Sequence, residues 1–372
     1  MEYIDNSDIL ILNGDETLSV LEGREREVVQ LIGDAYKTHA GGQSMLPHSS
    51  FLRFPADDRN RIIALPAFLG DGFGLAGIKW IASFPGNLEK GMERASAVII
   101  LNSAETGRPR AIIEGSVISA KRTAASAALA ARCLHDGPAD CIGIIGCGLI
   151  SFEVVRFLLA TLPGVDSLLV FDKQMQKAAQ FKEQCAALSE RVAVELAPDA
   201  ATVLANCPLI ALATTAGTPH IQQLPPATGQ RTILHVSLRD FAPEIILSCD
   251  NVVDDVDHVC RAQTSLHLAE QLTGGRDFIR CGIGELLLGR AEARKPEHET
   301  TIFSPFGLGV LDLALADFVF RQGVEQDLGT AMTSFFPATW TERTRAPRPA
   351  QPPFNVSYYR EKRILETCNL HY

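Results

Sequence analysis

Nine cysteines are present, yet no two of them form a C-x-x-C pair. That absence removes the commonest zinc and dithiol-redox motifs, and no metal site is expected. No apolar run approaches the roughly 20 residues that a bilayer-crossing helix needs. The first residues, MEYIDNSDIL, have neither the basic stretch nor the apolar core of a secretory leader. Scattered thiols, several inside apolar segments, then fit a reducing, cytoplasmic setting. Positive charge is not in excess either. Lys and Arg number 34 against 44 Asp and Glu, a net charge of −10, which argues against a nucleic-acid partner. What remains, 46% hydrophobic and 21% charged over 372 residues, is an ordinary globular composition with length for two domains.

Against this background one segment is specific, Cys141 to Ser151, CIGIIGCGLIS. A short apolar run, Ile142–Ile145, meets Gly146 and Gly148, and an amphipathic helix follows over Phe152–Leu162. A buried parallel strand that turns sharply into a helix leaves the first helical N–H groups unpaired. Those groups and the helix dipole favour a pyrophosphate. Gly146 permits the turn, Gly148 lets a phosphate approach, and the small Ser151 takes the third fingerprint position. Ser167–Phe171 reads as the next strand, with Asp172 at its end to accept from ribose hydroxyls and to disfavour a 2′-phosphate. NAD is therefore expected rather than NADP. Cys147, inside the turn, reads as a small buried filler; if exposed, its thiol could react and block the site.

Further strands are predicted at Val192–Glu195, Leu209–Thr214, Thr232–Val236, Asn251–Val256 and Thr301–Phe303, with helices between most of them and a closing helix at Leu308–Phe320. This alternation predicts an α/β fold, a Rossmann-type doubly wound parallel sheet. The first 120 residues instead predict a separate α+β unit for substrate binding and dimerisation. It has a helix near Gly23–Thr38 and mostly antiparallel strands at Arg61–Phe68, Gly77–Phe84 and Ala97–Leu101. An alanine-rich helix, Ser119–His135, bridges the two. The expected division is residues 1–125 with 322–340, residues 126–321, and a Pro-rich tail over 341–372 that carries no chemistry.

Ligands of open α/β sheets sit beyond the carboxyl ends of the strands. Three segments fall there: Ala213–Ala216 with Thr214 and Thr215, Ser237–Asp240, and Phe303–Gly309 with Gly307. Asp240 is a candidate acid/base. Lys79, in the apolar run AGIKWIASF, is a charge that needs a partner. Arg122 heads the bridging helix, and Arg grips a carboxylate in bidentate fashion.

Gly77-Ile78-Lys79, Phe84-Pro85-Gly86-Asn87, Glu114-Gly115-Ser116, Ser119–Ser126 and Gly143–Gly148 together resemble the ornithine cyclodeaminase/μ-crystallin family over roughly residues 5–335. The resemblance implies a homodimer and catalytic roles for Lys79 and Asp240. It implies Arg122 as a carboxylate ligand and a dinucleotide site of Thr123, Gly146, Gly148, Leu149, Ile150, Asp172, Thr214, Thr215, Ser237 and Gly307. It implies NAD-dependent oxidative cleavage of a secondary amine joining glutamate to 2,3-diaminopropionate, supplying a siderophore or antibiotic route. The alternatives are amino-acid cyclodeamination, ketimine reduction, or ligand binding without catalysis. Ala64 stands where ornithine cyclodeaminases carry a glutamate, which disfavours ornithine. No arginine matches the family's second carboxylate ligand near residues 43–47; Arg53 and Arg94 are the substitutes.

Overall fold

Alternating apolar and polar side chains before residue 120 become a sheet with one buried face. The computed structural model describes residues 8–336 except 228 and 296; the Pro-rich tail over 341–372 lies outside the described residues. The strands are β1 (Ile9–Leu12), β2 (Ser44–Met45), β3 (Ser50–Phe54), β4 (Asp57–Leu69), β5 (Leu75–Ser83), β6 (Ala95–Ser103) and β7 (Pro109–Glu114). β4 to β7 form an antiparallel meander, β1 joins β7 in parallel, and the last strand among the described residues, Thr330–Met332, closes the other edge of β1. Register places Leu65, Lys79, Ile99 and Ile113 in one cross-strand row. These face the core. The neighbouring row, Ala64, Trp80, Val98 and Glu114, faces the other way, as the period of two requires. The helix that runs on from Asp312 covers the buried face. A Cβ on Gly77 would come within 3.0 Å of Leu313.

The second sheet is wholly parallel. Its strands are β8 (Cys141–Ile145), β9 (Ser167–Phe171), β10 (Ala193–Leu196), β11 (Leu209–Leu212), β12 (Arg231–His235), β13 (Asp250–Val253), β14 (Ile279–Gly282) and β15 (Thr300–Ser304). They lie in the order β10-β9-β8-β11-β12-β15-β13-β14. The central strands are buried along their whole length, as expected where helices cover both faces. The chain winds outward from β8 in one direction and from β11 in the other. The crevice between them is the topological switch point, where open α/β sheets bind ligands.

The chain divides into two units, residues 8–23, 44–119 and 312–336 in one and residues 24–43 and 120–311 in the other. The sequence boundaries differ from these. Helix Glu25–Ala40, expected in the first domain, belongs with the parallel sheet. Its Tyr36 hydroxyl bonds Ser126, and its Glu25 pairs with Arg156 of helix Leu149–Thr161. The bridging helix starts earlier, at Ser116, because the Glu114 carboxylate accepts from the backbone N–H groups of Ser116 and Val117. β14 was not foreseen. It is a short edge strand whose sequence, IRCG, shows neither alternation nor a long apolar run.

Candidate functional site

At the switch point, Gly146 follows β8 with φ +91°, and a Cβ there would stand 2.5 Å from the Ala213 carbonyl oxygen. Only glycine fits. Gly148 is the N-cap of helix Leu149–Thr161; no side chain caps that helix, and the space where a Gly148 Cβ would point is open. The first helical N–H groups, those of Leu149 and Ile150 among them, thus face a cradle that an anion can fill. Ser151 is buried and donates its hydroxyl back to the Gly146 carbonyl, locking the turn. At the end of β9, Asp172 accepts from the backbone N–H groups of Cys147 (2.9 Å) and Gln174 (2.8 Å). A carboxylate has about four acceptor sites, so these two bonds leave it with further accepting capacity. Burial, helped by Asp172 and Cys185, pushes the Cys147 thiol up to about 12, which leaves it inert at neutral pH.

Beyond β11 and β12 lies a polar cluster built around Asp240, whose side chain is 0% exposed. Its Oδ1 accepts from the Thr214 hydroxyl and from His220 Nε2 at 3.1 Å. Oδ2 accepts from the Ser237 hydroxyl and from His235 Nε2 at 3.2 Å. His235 is fully buried and holds Ser304 of β15 through Nδ1 at 3.3 Å. Burial raises the Asp240 carboxyl, but the His235, Ser237 and Thr214 bonds outweigh it and hold the group well below the usual carboxylate range. Leu238, between Ser237 and Asp240, has φ +68°. A non-glycine residue there costs about 1–3 kcal/mol and marks a segment fixed by its surroundings. Thr215 is exposed beside the cluster.

A second acid, Asp254, follows β13 and accepts from the backbone N–H groups of Phe306 and Gly307 at 2.8 and 2.7 Å. Gly307 (φ +95°) lies against the buried Arg122, whose guanidinium would meet any Cβ at 2.7–3.2 Å. Arg122 and Gly307 therefore lie side by side. Thr123 is half-buried beside Arg122 on the same helix.

In the other unit Lys79 is 2% exposed and pairs at 2.6 Å with Asp312, itself 0% exposed; Ser119 accepts from Lys79 at 3.2 Å. Arg53 is exposed on β3, with its guanidinium over the Phe51 ring. Arg94 is half-buried and its pKa is lowered by burial. His220, His235, Asp254 and Asp312 were not singled out in the sequence. Asp312 carried a visible signal, an acid inside the apolar helix LDLALADF. The histidines carried none, because their partner is 5 to 20 residues away across a loop.

Strand order, glycine turn and acids define a class, a Rossmann-type α/β protein with a dinucleotide-style phosphate turn. The sequence pattern of the ornithine cyclodeaminase/mu-crystallin family matches residues 20–327, and the chain belongs to that family. It is 28% identical to the N-((2S)-2-amino-2-carboxyethyl)-L-glutamate dehydrogenase of Staphylococcus aureus, covering 89% of this chain and 100% of that one. It is 26% identical to an alanine dehydrogenase of Archaeoglobus fulgidus, covering 88% and 98%. The solved structure of an archaeal alanine dehydrogenase dimer with bound NAD superposes with a TM-score of 0.79 at 25% identity, covering 88% of this chain and all of that one.

Proposed function

We propose that this chain is an NAD-dependent amine oxidoreductase that oxidatively cleaves N-(2-amino-2-carboxyethyl)-L-glutamate to 2,3-diaminopropionate and 2-oxoglutarate. The observation that carries the reading is the fully buried Asp240 carboxylate, held by four donors beside the switch point. A binding protein has no need of such a buried, fully hydrogen-bonded carboxylate–imidazole cluster, and the full-length match to a relative of that named activity supports the substrate class. Gly146, Gly148, the N–H groups of Leu149 and Ile150, and Asp172 would hold NAD, with Thr123, Thr214, Thr215, Ser237 and Gly307 as further contacts. When bound, NAD⁺ supplies the acceptor for the hydride of the glutamate-side Cα. Arg122 grips one substrate carboxylate, and Arg94 or Arg53 serves the other. Lys79, with Asp312, sets the position of the bound acid. The Asp240 cluster takes the amine proton and then prepares water for attack on the imine carbon; collapse of the hydrated imine breaks the C–N bond. Positioning of this kind supplies up to about 7–11 kcal/mol of a barrier in the best cases. The product would feed siderophore or antibiotic assembly in the cytoplasm.

The protein acts, in this reading, as a homodimer. The support is the outward face of the first sheet, where Trp80 and Val98 are exposed cross-strand partners and Phe68 is exposed on the same face four residues further along β4, an apolar surface of the kind that marks an interface. The decisive assay mixes protein, NAD⁺ and the amine, and follows reduced cofactor together with 2-oxoglutarate. Stoichiometric formation of both is expected. Turnover confined to alanine, ornithine, lysine or pyrroline-2-carboxylate would replace the substrate and keep the family.

A further inference from the structure

We propose that His220, paired with Asp240 as a carboxylate–imidazole dyad, is the group that exchanges protons with the substrate. This rests on the oxidoreductase reading above and names the atom that performs its proton step.

The argument begins with what Asp240 cannot do. Its two oxygens already accept from Thr214, His220, Ser237 and His235, which fills the roughly four acceptor sites of a carboxylate. It has no exposed surface. A substrate proton reaches it only if one of those bonds breaks. Of the titratable groups in the cluster, His235 is also sealed, at 0% exposed and bonded through both ring nitrogens. His220 alone reaches the surface, with a side chain 27% exposed. A carboxylate without a proton can only accept, so the bond from His220 Nε2 places a proton on Nε2, and the neutral ring is the Nε2–H tautomer. Nδ1 then carries the lone pair, and no hydrogen bond reaches it from any described residue.

The loop that presents His220 is tied down at several points. The backbone N–H groups of His220 and Ile221 both donate to the Asp240 carbonyl at 2.9 Å, and Ala242 donates back to Ile221 at 2.9 Å. The ring is thus held against its carboxylate from both backbone and side chain. Such an arrangement orients the imidazole and stabilises the imidazolium that forms when it takes a proton. Asp240 is the positioning residue in this scheme. The charged neighbour in sequence, Arg239, is turned onto the Ala262 carbonyl at 2.8 Å, and Asp240, with His235 across it, faces the ring.

The proton balance closes. The amine N–H bond breaks toward Nδ1, and the nitrogen pair forms the C=N bond as the Cα hydride leaves for the acceptor that NAD⁺ would supply when bound. The imidazolium returns its proton to the imine nitrogen. Neutral His220 then takes a proton from the water whose oxygen bonds to the carbon. The imidazolium gives it to the departing amine nitrogen as the C–N bond breaks, C=O forms and the hydroxyl proton passes by way of the ring to solvent.

The test compares His220→Gln and His220→Ala with the unaltered protein. Glutamine keeps an N–H donor for Asp240 but has no proton-accepting nitrogen, so a purely structural role predicts near-normal turnover. The dyad predicts a kcat about 10²- to 10⁴-fold lower, loss of the acidic limb of the kcat–pH profile, unchanged NAD binding, and partial rescue of His220→Ala by added imidazole. Turnover of His220→Gln within a few-fold of normal, or the same acidic limb, overturns it. Nitrogen-15 NMR of the protein without ligands supplies a reading that needs no substrate: the Nε2–H tautomer of His220 is expected, and the Nδ1–H tautomer overturns the dyad. If no amine is turned over by the unaltered protein, the substrate reading fails while the tautomer still decides the dyad.

Discussion

At the scale of single residues, the glycine turn makes the sharpest demand. Gly146 needs both a positive φ and an absent Cβ. Gly146→Ala costs at least about 1–2 kcal/mol from the left-handed backbone alone, and the clash with Ala213 adds to it. Urea unfolding will show that loss, and NAD titration a weakened affinity. Asp172→Ala is expected to raise the Michaelis constant for NAD far more than that for the amine, because it frees the N–H of Cys147 and removes the ribose partner together; equal changes in both constants count against the assignment. The glycines and Asp172 were legible because strand, turn, helix and acid follow one another within about thirty residues. Lys79 was legible as a charge that needed a partner, but the partner lay 233 positions downstream in Asp312. No local pattern connects two such residues; only the register of β5 under the helix from Asp312 does.

Burial alone did not decide which secondary elements were readable: the largely buried β1 escaped the sequence reading, while the mostly exposed β10 did not. β8, β11 and β12 are buried apolar runs and emerged from sequence within one or two residues. β2, β3 and β14 are partly exposed, lack a clean period and did not. The short helix Val256–Val259 shows how much an element rests on its cap. Asp255 accepts from the His258 backbone at 2.8 Å and from the His258 ring at 2.9 Å, with His39 at 3.2 Å on the other oxygen. The bond to Asp255 raises the His258 pKa, more than burial lowers it. A raised folded-state pKa contributes stability that is complete below about 6.5 and lost as pH rises through the folded value. Unfolding free energy should therefore decline as pH climbs above about 6.5, and His258→Gln should flatten that slope. An unchanged slope in the variant would assign the decline to another group. Asp254, one residue before the cap, holds the Gly307 loop that adjoins Arg122, so loosening this helix is expected to weaken substrate carboxylate binding as well.

For the whole molecule, the exposed apolar row of the first sheet sets the expected assembly. Trp80→Glu places a charge in the middle of that row. The substituted protein is expected to sediment as a monomer while the unaltered protein sediments as a dimer; two monomers, or two dimers, would remove that face from the interface. The pair Lys79–Asp312 bears on stability at the same scale. Breaking a buried ion pair from one side costs about 3–5 kcal/mol, so Asp312→Ala should lower the denaturation midpoint sharply.

That ion pair also constrains the order of events as the chain leaves the ribosome. The parallel-sheet unit is an insertion: the first unit begins before it and is completed only after residue 311. Chains usually fold from the N-terminus as they emerge, yet β5 cannot seal Lys79 into its core until some 230 further residues have been made and Asp312 arrives. β1 waits longer still for Thr330–Met332 to cover its open edge. The nascent first unit is thus held open with an ammonium lacking its carboxylate and a strand with one bare edge while the second unit is built, and the two distant segments that close it arrive together at the end.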